Sequence, residues 1–145
     1  MSLSDSFRKK LTPVQFEVLR QARTEPRGIG KSKGGFDDHF VPGGTYICAA
    51  CDSPLYLSSM KFDCGCGWPG FWTSIAKAVT ERPDEDGRRT EILCAKCESH
   101  LGQVFRGDSF KNPPPNERHC VNSVSLKFVD KDGIVTPCTY NGPVY

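Results

Sequence analysis

The sequence predicts a mainly β domain of antiparallel strands with a short helix near the N-terminus, on three observations. Short runs of β-branched, aromatic and aliphatic residues recur between turn-forming stretches over most of the chain. Two Cys-x-x-Cys pairs, Cys48–Cys51 and Cys94–Cys97, each lie between two such runs, as in the two halves of a zinc ribbon. The clearest helical signal is confined to a stretch that begins at Thr12 and should fail before Pro26.

Taken in order, Thr12 suits the cap of that helix, Pro13 its first position and Gln15 the return bond of a capping box. Leu11 and Phe16 stand where a hydrophobic staple would close, and Val14, Val18, Leu19 and Ala22 form the expected buried stripe. From Arg27 to Gly44 the chain is rich in glycine and polar residues and should wrap as a loop. Strands are expected at Gly44 to Ile47 and Leu55 to Leu57 around the first cysteine pair, and at Thr90 to Leu93 and Gln103 to Phe105 around the second. The longest strand is expected from Cys120 to Val129. Cys120, Asn122, Val124, Leu126 and Phe128 would then share one face, and Ser123, Ser125 and Lys127 the other. Glu81 to Arg89 and the proline-rich Gly107 to Glu117 read as surface loops.

A chain of 145 residues fits one domain, spanning 1–145. A net charge of +2 with 25% charged residues gives no strong field toward nucleic acid or a membrane surface. No apolar run is long enough for a transmembrane helix, and Met1-Ser2-Leu3-Ser4-Asp5 does not look like a signal peptide. Eight cysteines without such a signal point to metal binding or redox chemistry in a reducing compartment rather than to a disulfide scaffold. The expected location is the cytoplasm, with an organelle form after transit-peptide removal as the alternative.

Each Cys-x-x-Cys turn brings two sulfurs to one ion. Cys48, Cys51, Cys94 and Cys97 would complete a tetrahedral set around one zinc. With no position left for water, that zinc would be structural, and Asp52 to Leu93 would form an insert between the halves. Four buried or disulfide-prone cysteines, or an iron site on the same ligands, are the alternatives.

Cys64, Cys66, Cys120 and Cys138 remain. Around Cys120 the sequence reads Arg118-His119-Cys120-Val121-Asn122-Ser123. Strand alternation puts Arg118 and Asn122 on the Cys120 face, where the Arg118 charge would favour a thiolate. On residue chemistry alone, a reactive thiol and a small core residue stand side by side. The glycine-rich Phe62 to Pro69 segment reads either as a flexible loop carrying a thiol or as an ordinary turn with Trp68 in the core. Cys138, in a proline-flanked tail, is given no role.

These motifs in this order resemble the B-type methionine sulfoxide reductases. The resemblance runs from Leu11 to about Val129, the expected core of the domain. Its anchors are Leu11-Thr12-Pro13, Thr24-Glu25-Pro26, the two cysteine pairs, Gly65-Cys66-Gly67-Trp68-Pro69, His100-Leu101-Gly102 with Val104-Phe105, and Cys120-Val121-Asn122-Ser123. It implies a β-tent-like fold of two antiparallel sheets around a substrate cleft. By position, Cys120 matches the nucleophile and Cys66 the resolving cysteine. Trp68 matches the ring that packs the substrate methyl group. His100 and Asn122 match polar residues of the site, and Arg118 precedes the nucleophile. Gln103 and Phe105 are placed at the substrate.

The implied reaction is reduction of the R epimer of methionine sulfoxide, mainly in proteins, through a Cys120 sulfenic acid and a Cys66–Cys120 disulfide. Thioredoxin is the implied reductant and a monomer the implied state, without nucleic-acid or membrane partners. Four positions depart from the pattern. Gln103 stands where a second histidine is usual, His119 where an aromatic precedes the nucleophile, and Gly70 where serine is common. Cys64 adds a thiol that many members lack. His100 is therefore the expected main proton donor, since strand parity turns His119 away from Cys120, and His119 would substitute if its ring turned toward the cleft. The rival classes are a zinc-containing ligand-binding module of the same fold without redox activity, and a nucleic-acid-binding zinc ribbon. The latter lacks a concentrated basic aromatic surface.

Overall fold

The computed structural model describes residues 3–84 and 87–145. The chain opens with α1 (Leu3–Lys10), which the sequence reading does not anticipate, and α2 (Pro13–Gln21). In α1, Phe7 lies one turn before Leu11 and both are buried, a short amphipathic signal within a polar stretch. The capping box at α2 forms as expected. The Gln15 N–H donates to Thr12 Oγ1 at 3.1 Å, and the Thr12 N–H donates to Gln15 Oε1 at 3.0 Å. Leu11 and Phe16 are both buried. Ala22 is a correction. It is exposed and caps the helix in the left-handed region at φ 54°, so the buried face consists of Val14, Phe16, Val18 and Leu19.

Among the described residues ten short strands follow: β1 (Thr45–Cys48), β2 (Pro54–Leu57), β3 (Lys61–Phe62), β4 (Gly70–Phe71), β5 (Val79–Pro83), β6 (Thr90–Cys94), β7 (His100–Phe105), β8 (Arg118–Val121), β9 (Leu126–Val129) and β10 (Val135–Pro137). They form two antiparallel sheets, ordered β10-β9-β1-β2 and β3-β4-β8-β7-β6-β5. Mainly β architecture in two antiparallel sheets is what the sequence led us to expect. Between the sheets Tyr56 of β2 stacks on Phe71 of β4 with ring centroids 4.1 Å apart. Tyr46 meets the same Phe71 edge-on at 5.2 Å. Among the described residues no helix is long and apolar enough to cross a membrane.

Two further expectations change. Glu81 to Pro83 belong to β5, an edge strand paired with β6, rather than to a loop. The exposed charges of Glu81 and Arg82 and the proline at residue 83 are typical of a sheet edge and resemble a loop in sequence. The single strand from Cys120 to Val129 is instead two strands in different sheets, divided by a 3₁₀ turn at Ser123–Ser125. All three residues of that turn are buried, which small side chains permit. The Ser123 hydroxyl accepts the Phe36 N–H at 2.8 Å, and the Ser125 hydroxyl donates to the His100 carbonyl at 2.9 Å. Buried polar groups thus find partners at the corner where the chain changes sheets. The alternation from Cys120 to Phe128 therefore does not describe one face.

Candidate active site

The larger sheet aligns five residues in one cross-strand row. Gly70 of β4 pairs with Cys120 of β8, Cys120 with Gln103 of β7, Gln103 with Glu91 of β6, and Glu91 with Arg82 of β5. Directly opposed residues in an antiparallel sheet project to the same side, so residues far apart in sequence meet over one face. Above it lies a cleft of about 630 Å³. Cys66, Trp68, His100, Gln103, Phe105, Arg118, Cys120 and Asn122 all line it.

Cys120 is half-buried, and Arg118 Nη1 donates to its sulfur at 3.4 Å. Arg118 is itself held by Asp108 Oδ2 at 2.7 Å from Nε, with its guanidinium 4.3 Å from the centre of the Phe105 ring. Burial pushes the Cys120 thiol above its ordinary pKa, and the pull of Arg118 offsets only part of this. The sequence expectation that Arg118 favours a thiolate has the right sign, but desolvation is the larger effect. Cys120 Sγ lies 3.3 Å from Cys66 Sγ, and Cys66 is joined to Cys64 in a disulfide.

His100 is oriented by a carboxylate. Its Nδ1 lies 2.5 Å from Glu91 Oε2, and Arg82 Nε donates to Glu91 Oε1 at 2.6 Å. This leaves Nε2 as the ring nitrogen outside the Glu91 pair. Gln103 directs Nε2 to Asp84 Oδ2 at 3.0 Å, so one amide proton is already engaged. His119 is buried away from the cleft. Its Nδ1 is 2.8 Å from the Tyr56 hydroxyl and its Nε2 is 3.1 Å from Glu117 Oε1. Burial holds its pKa below the ordinary imidazole value, with Glu117 opposing.

The loop after α2 clamps the other wall. Glu25 donates its backbone N–H to Asn122 Oδ1 at 2.9 Å, and its carbonyl accepts Trp68 Nε1 at 3.0 Å. Asn122 Nδ2 donates to the Leu101 carbonyl at 3.0 Å, so the amide ties loop to strand. The Arg27 guanidinium stands 5.6 Å from the centre of the Trp68 ring, and its Nε donates to the Cys66 carbonyl at 3.0 Å. The Glu25 side chain is 1% exposed. Its Oε1 accepts the Val124 N–H at 2.8 Å, while Oε2 has no partner among the described residues. Burial, only partly offset by backbone hydrogen bonds, raises its pKa from 4.5 to about 7.

A second cluster lies at the turns after β1 and β6. One sulfur from each of Cys48, Cys51, Cys94 and Cys97 lies within 4.8 Å of the others, an arrangement that could hold a metal ion. Cys48 and Cys97 sulfurs are 3.7 Å apart, and those of Cys51 and Cys94 3.6 Å. Both helices brace these turns: Lys10 Nζ donates to the Ala50 carbonyl at 2.6 Å, and Arg20 Nη1 to the Cys97 carbonyl at 2.8 Å. Cys138 is buried in the core, and burial pushes its thiol up to about 12.

Sequence reasoning did not single out Glu25, Arg82, Glu91 or Asp108. Glu25 lay within a quoted motif, but nothing local showed what its carboxylate meets. Glu91 and Arg82 become visible only once β5, β6 and β7 are in register.

Residues 11–130 match the SelR domain. The chain is 51% identical over 128 residues to the chloroplastic peptide methionine sulfoxide reductase B2 of Arabidopsis thaliana, an alignment covering 88% of this chain and 60% of that protein. It is 49% identical to peptide methionine sulfoxide reductase B5 of the same plant, over 86% of this chain and 85% of the relative. The B5 protein of Oryza sativa subsp. japonica is 50% identical over 86% of this chain and 87% of its own length. The chain thus spans about three fifths of the chloroplastic relative and most of the other two.

Proposed function

The chain belongs to the SelR family of peptide methionine sulfoxide reductases B, and on that footing we propose that it reduces methionine (R)-S-oxide in oxidised proteins and peptides, with Cys120 as nucleophile and Cys66 as resolving thiol. The observation that carries this reading is the 3.3 Å approach of the Cys66 and Cys120 sulfurs in the wall of a cleft that also presents His100 and Trp68.

In this mechanism Trp68 packs the substrate methyl group, with its ring held by the bond to the Glu25 carbonyl. Hydrogen-bond donors of the same cleft face the sulfoxide oxygen, and that pairing of apolar and polar contacts selects one epimer at sulfur. The Cys120 thiolate attacks the sulfoxide sulfur while His100 protonates the sulfoxide oxygen, giving an S–S-bonded hydroxy adduct. The hydroxyl then moves to the Cys120 sulfur as the S–S and methionine S–O bonds break, so that methionine leaves reduced and Cys120 is left as a sulfenic acid. A thiolate of raised pKa is scarce at neutral pH but more nucleophilic per anion, and Arg118 stabilises it. Cys66 then condenses with the sulfenic acid, releasing water and forming a disulfide that an external dithiol reduces. Thioredoxin is the reductant we assign. Glu91 orients His100. Gln103 and Phe105 shape the substrate side of the cleft, and Asn122 positions the wall that carries Cys120.

Cys48, Cys51, Cys94 and Cys97 fit one structural zinc. Sulfurs about 2.3 Å from a tetrahedral zinc are about 3.8 Å from each other, close to the spacings between the two turns. Bound there, the ion cross-links the turns after β1 and β6. We read the protein as a cytoplasmic monomer of one domain acting in protein repair, supported by its paired cysteines and modest net charge.

The test is methionine release from a mixed-epimer sulfoxide with dithiothreitol. Wild type should consume only the R epimer, and Cys120→Ser should release nothing. His100→Gln should slow the single-turnover step by about 10²–10⁴-fold with its metal content intact. No methionine from folded wild type would return the protein to the non-redox ligand-binding class.

A further inference from the structure

Cys66 stands on two surfaces. On one side it lines the cleft with Cys120. On the other it shares with Cys64 an open recess of about 430 Å³ that also includes Phe110 and Asp108. Sulfurs of Cys64, Cys66 and Cys120 all lie within 4.8 Å of one another. The middle sulfur is bonded to Cys64 and stands 3.3 Å from Cys120.

The backbone accommodates this third thiol in two places. Gly65, between the two cysteines, has φ +70°, a conformation that bends the Cys64-Gly65-Cys66 turn and that L side chains rarely adopt. Gly70, the cross-strand neighbour of Cys120, leaves room for the Cys64 side chain. A Cβ at Gly70 would come within 2.8 Å of Cys64 Sγ and 3.1 Å of the Phe62 carbonyl. A side chain there would press on the Cys64 sulfur and on the β3 backbone, so the absence of one at residue 70 leaves the Cys64 thiol its place beside Cys66.

Resting on the reductase reading above, we propose that Cys64 is the terminal thiol of a disulfide relay that carries oxidation out of the substrate cleft. Once Cys66 and Cys120 are joined, the Cys64 thiolate attacks Cys66 Sγ. The Cys64–Cys66 bond forms, the Cys66–Cys120 bond breaks, and the electron pair leaves on Cys120 as a thiolate facing Arg118 Nη1. The Cys64 proton passes to solvent, and no outside oxidant or reductant enters the step. The advantage is access. A Cys66–Cys120 disulfide lies in the wall of the cleft, where a protein reductant competes with substrate. A Cys64–Cys66 disulfide faces the open recess while Cys120 is already restored.

The relay changes a stoichiometry. Reduced, metal-loaded protein freed of reductant is mixed with excess methionine (R)-S-oxide, and methionine per chain is counted. With the relay, wild type yields about two: one as the Cys64–Cys66 disulfide forms, and one as the restored Cys120 becomes a sulfenic acid. Cys64→Ser should yield about one and end with Cys66 bonded to Cys120. Peptide mapping of wild type should show Cys64–Cys66, with dimedone trapped on Cys120. About one methionine from wild type, with Cys66–Cys120 as its final disulfide, overturns the relay and leaves the reductase reading standing. No methionine from wild type overturns both. The wild-type count decides the matter even if the variant fails to fold.

Discussion

Glu25 joins two parts of the site at the scale of a single residue. Its backbone holds Asn122 and Trp68, while its carboxyl is buried against the Ser123–Ser125 corner. With the folded pKa raised from 4.5 to about 7, the native state holds a proton that the unfolded chain releases. The native state therefore binds more protons between those values, and the Glu25 contribution to stability falls as pH rises through that window. Glu25→Gln lacks this titration. Its unfolding free energy relative to wild type should shift in its favour by about 3 kcal/mol between pH 4 and pH 8. Urea titrations at the two pH values measure this, and a pH-independent difference would show that Glu25 does not keep its proton. Cys120 supplies a second test. Burial pushes its thiol up and Arg118 pulls it down, so Arg118→Ala should move the pH midpoint of Cys120 alkylation further upward. Reductive turnover at neutral pH should fall with the thiolate fraction. An unmoved midpoint would mean that Arg118 acts on the substrate alone.

At the scale of elements, α2 shows how much a local signal can specify. Thr12, Pro13 and Gln15 define its start through contacts made within one turn. Thr12→Ala should cost about 1 kcal/mol of stability in a urea titration while leaving the single-turnover rate near wild type. A larger loss would mean that the cap also braces the cysteine turns, which α2 reaches through Arg20. β8 and β9 show the opposite case. Their sequence alternates like one strand, yet the chain turns after Asn122 because the Asn122 N–H finds the Leu101 carbonyl and the buried serines find distant partners. The same turn puts Cys120 in one sheet and Phe128 in the other.

The whole molecule depends on joining its two sheets, and the cysteine cluster connects β1 of one to β6 of the other. Structural zinc in peptides of this kind contributes on the order of 10 kcal/mol of apparent binding energy, which becomes folding energy. Chelation, or Cys94→Ser, should therefore remove metal and cooperative unfolding together, as seen by metal analysis and thermal melting. A metal-free protein with an unchanged melting temperature would show that the aromatic packing of Tyr46, Tyr56 and Phe71 holds the sheets without the ion. Tyr145 adds a backbone clasp, exchanging hydrogen bonds with Thr24 at 2.8 Å beside the cleft.

By itself the sequence determined what neighbours decide: the α2 cap, the two cysteine turns, and the period of two that turns His119 away from Cys120. The quoted family motifs added the class of fold and reaction. Tertiary structure alone decided which residues meet. The row from Gly70 through Cys120, Gln103 and Glu91 to Arg82 exists because five strands share a register. The partnership of Glu91 with His100 follows from that register, as does the room Gly70 leaves for Cys64. The physical reason is range. A cap or a turn is stabilised by bonds a few residues long. A cross-strand pair, a buried carboxyl such as Glu25, or a strand that breaks to change sheets takes its energy from partners tens of residues away, and no local pattern records them.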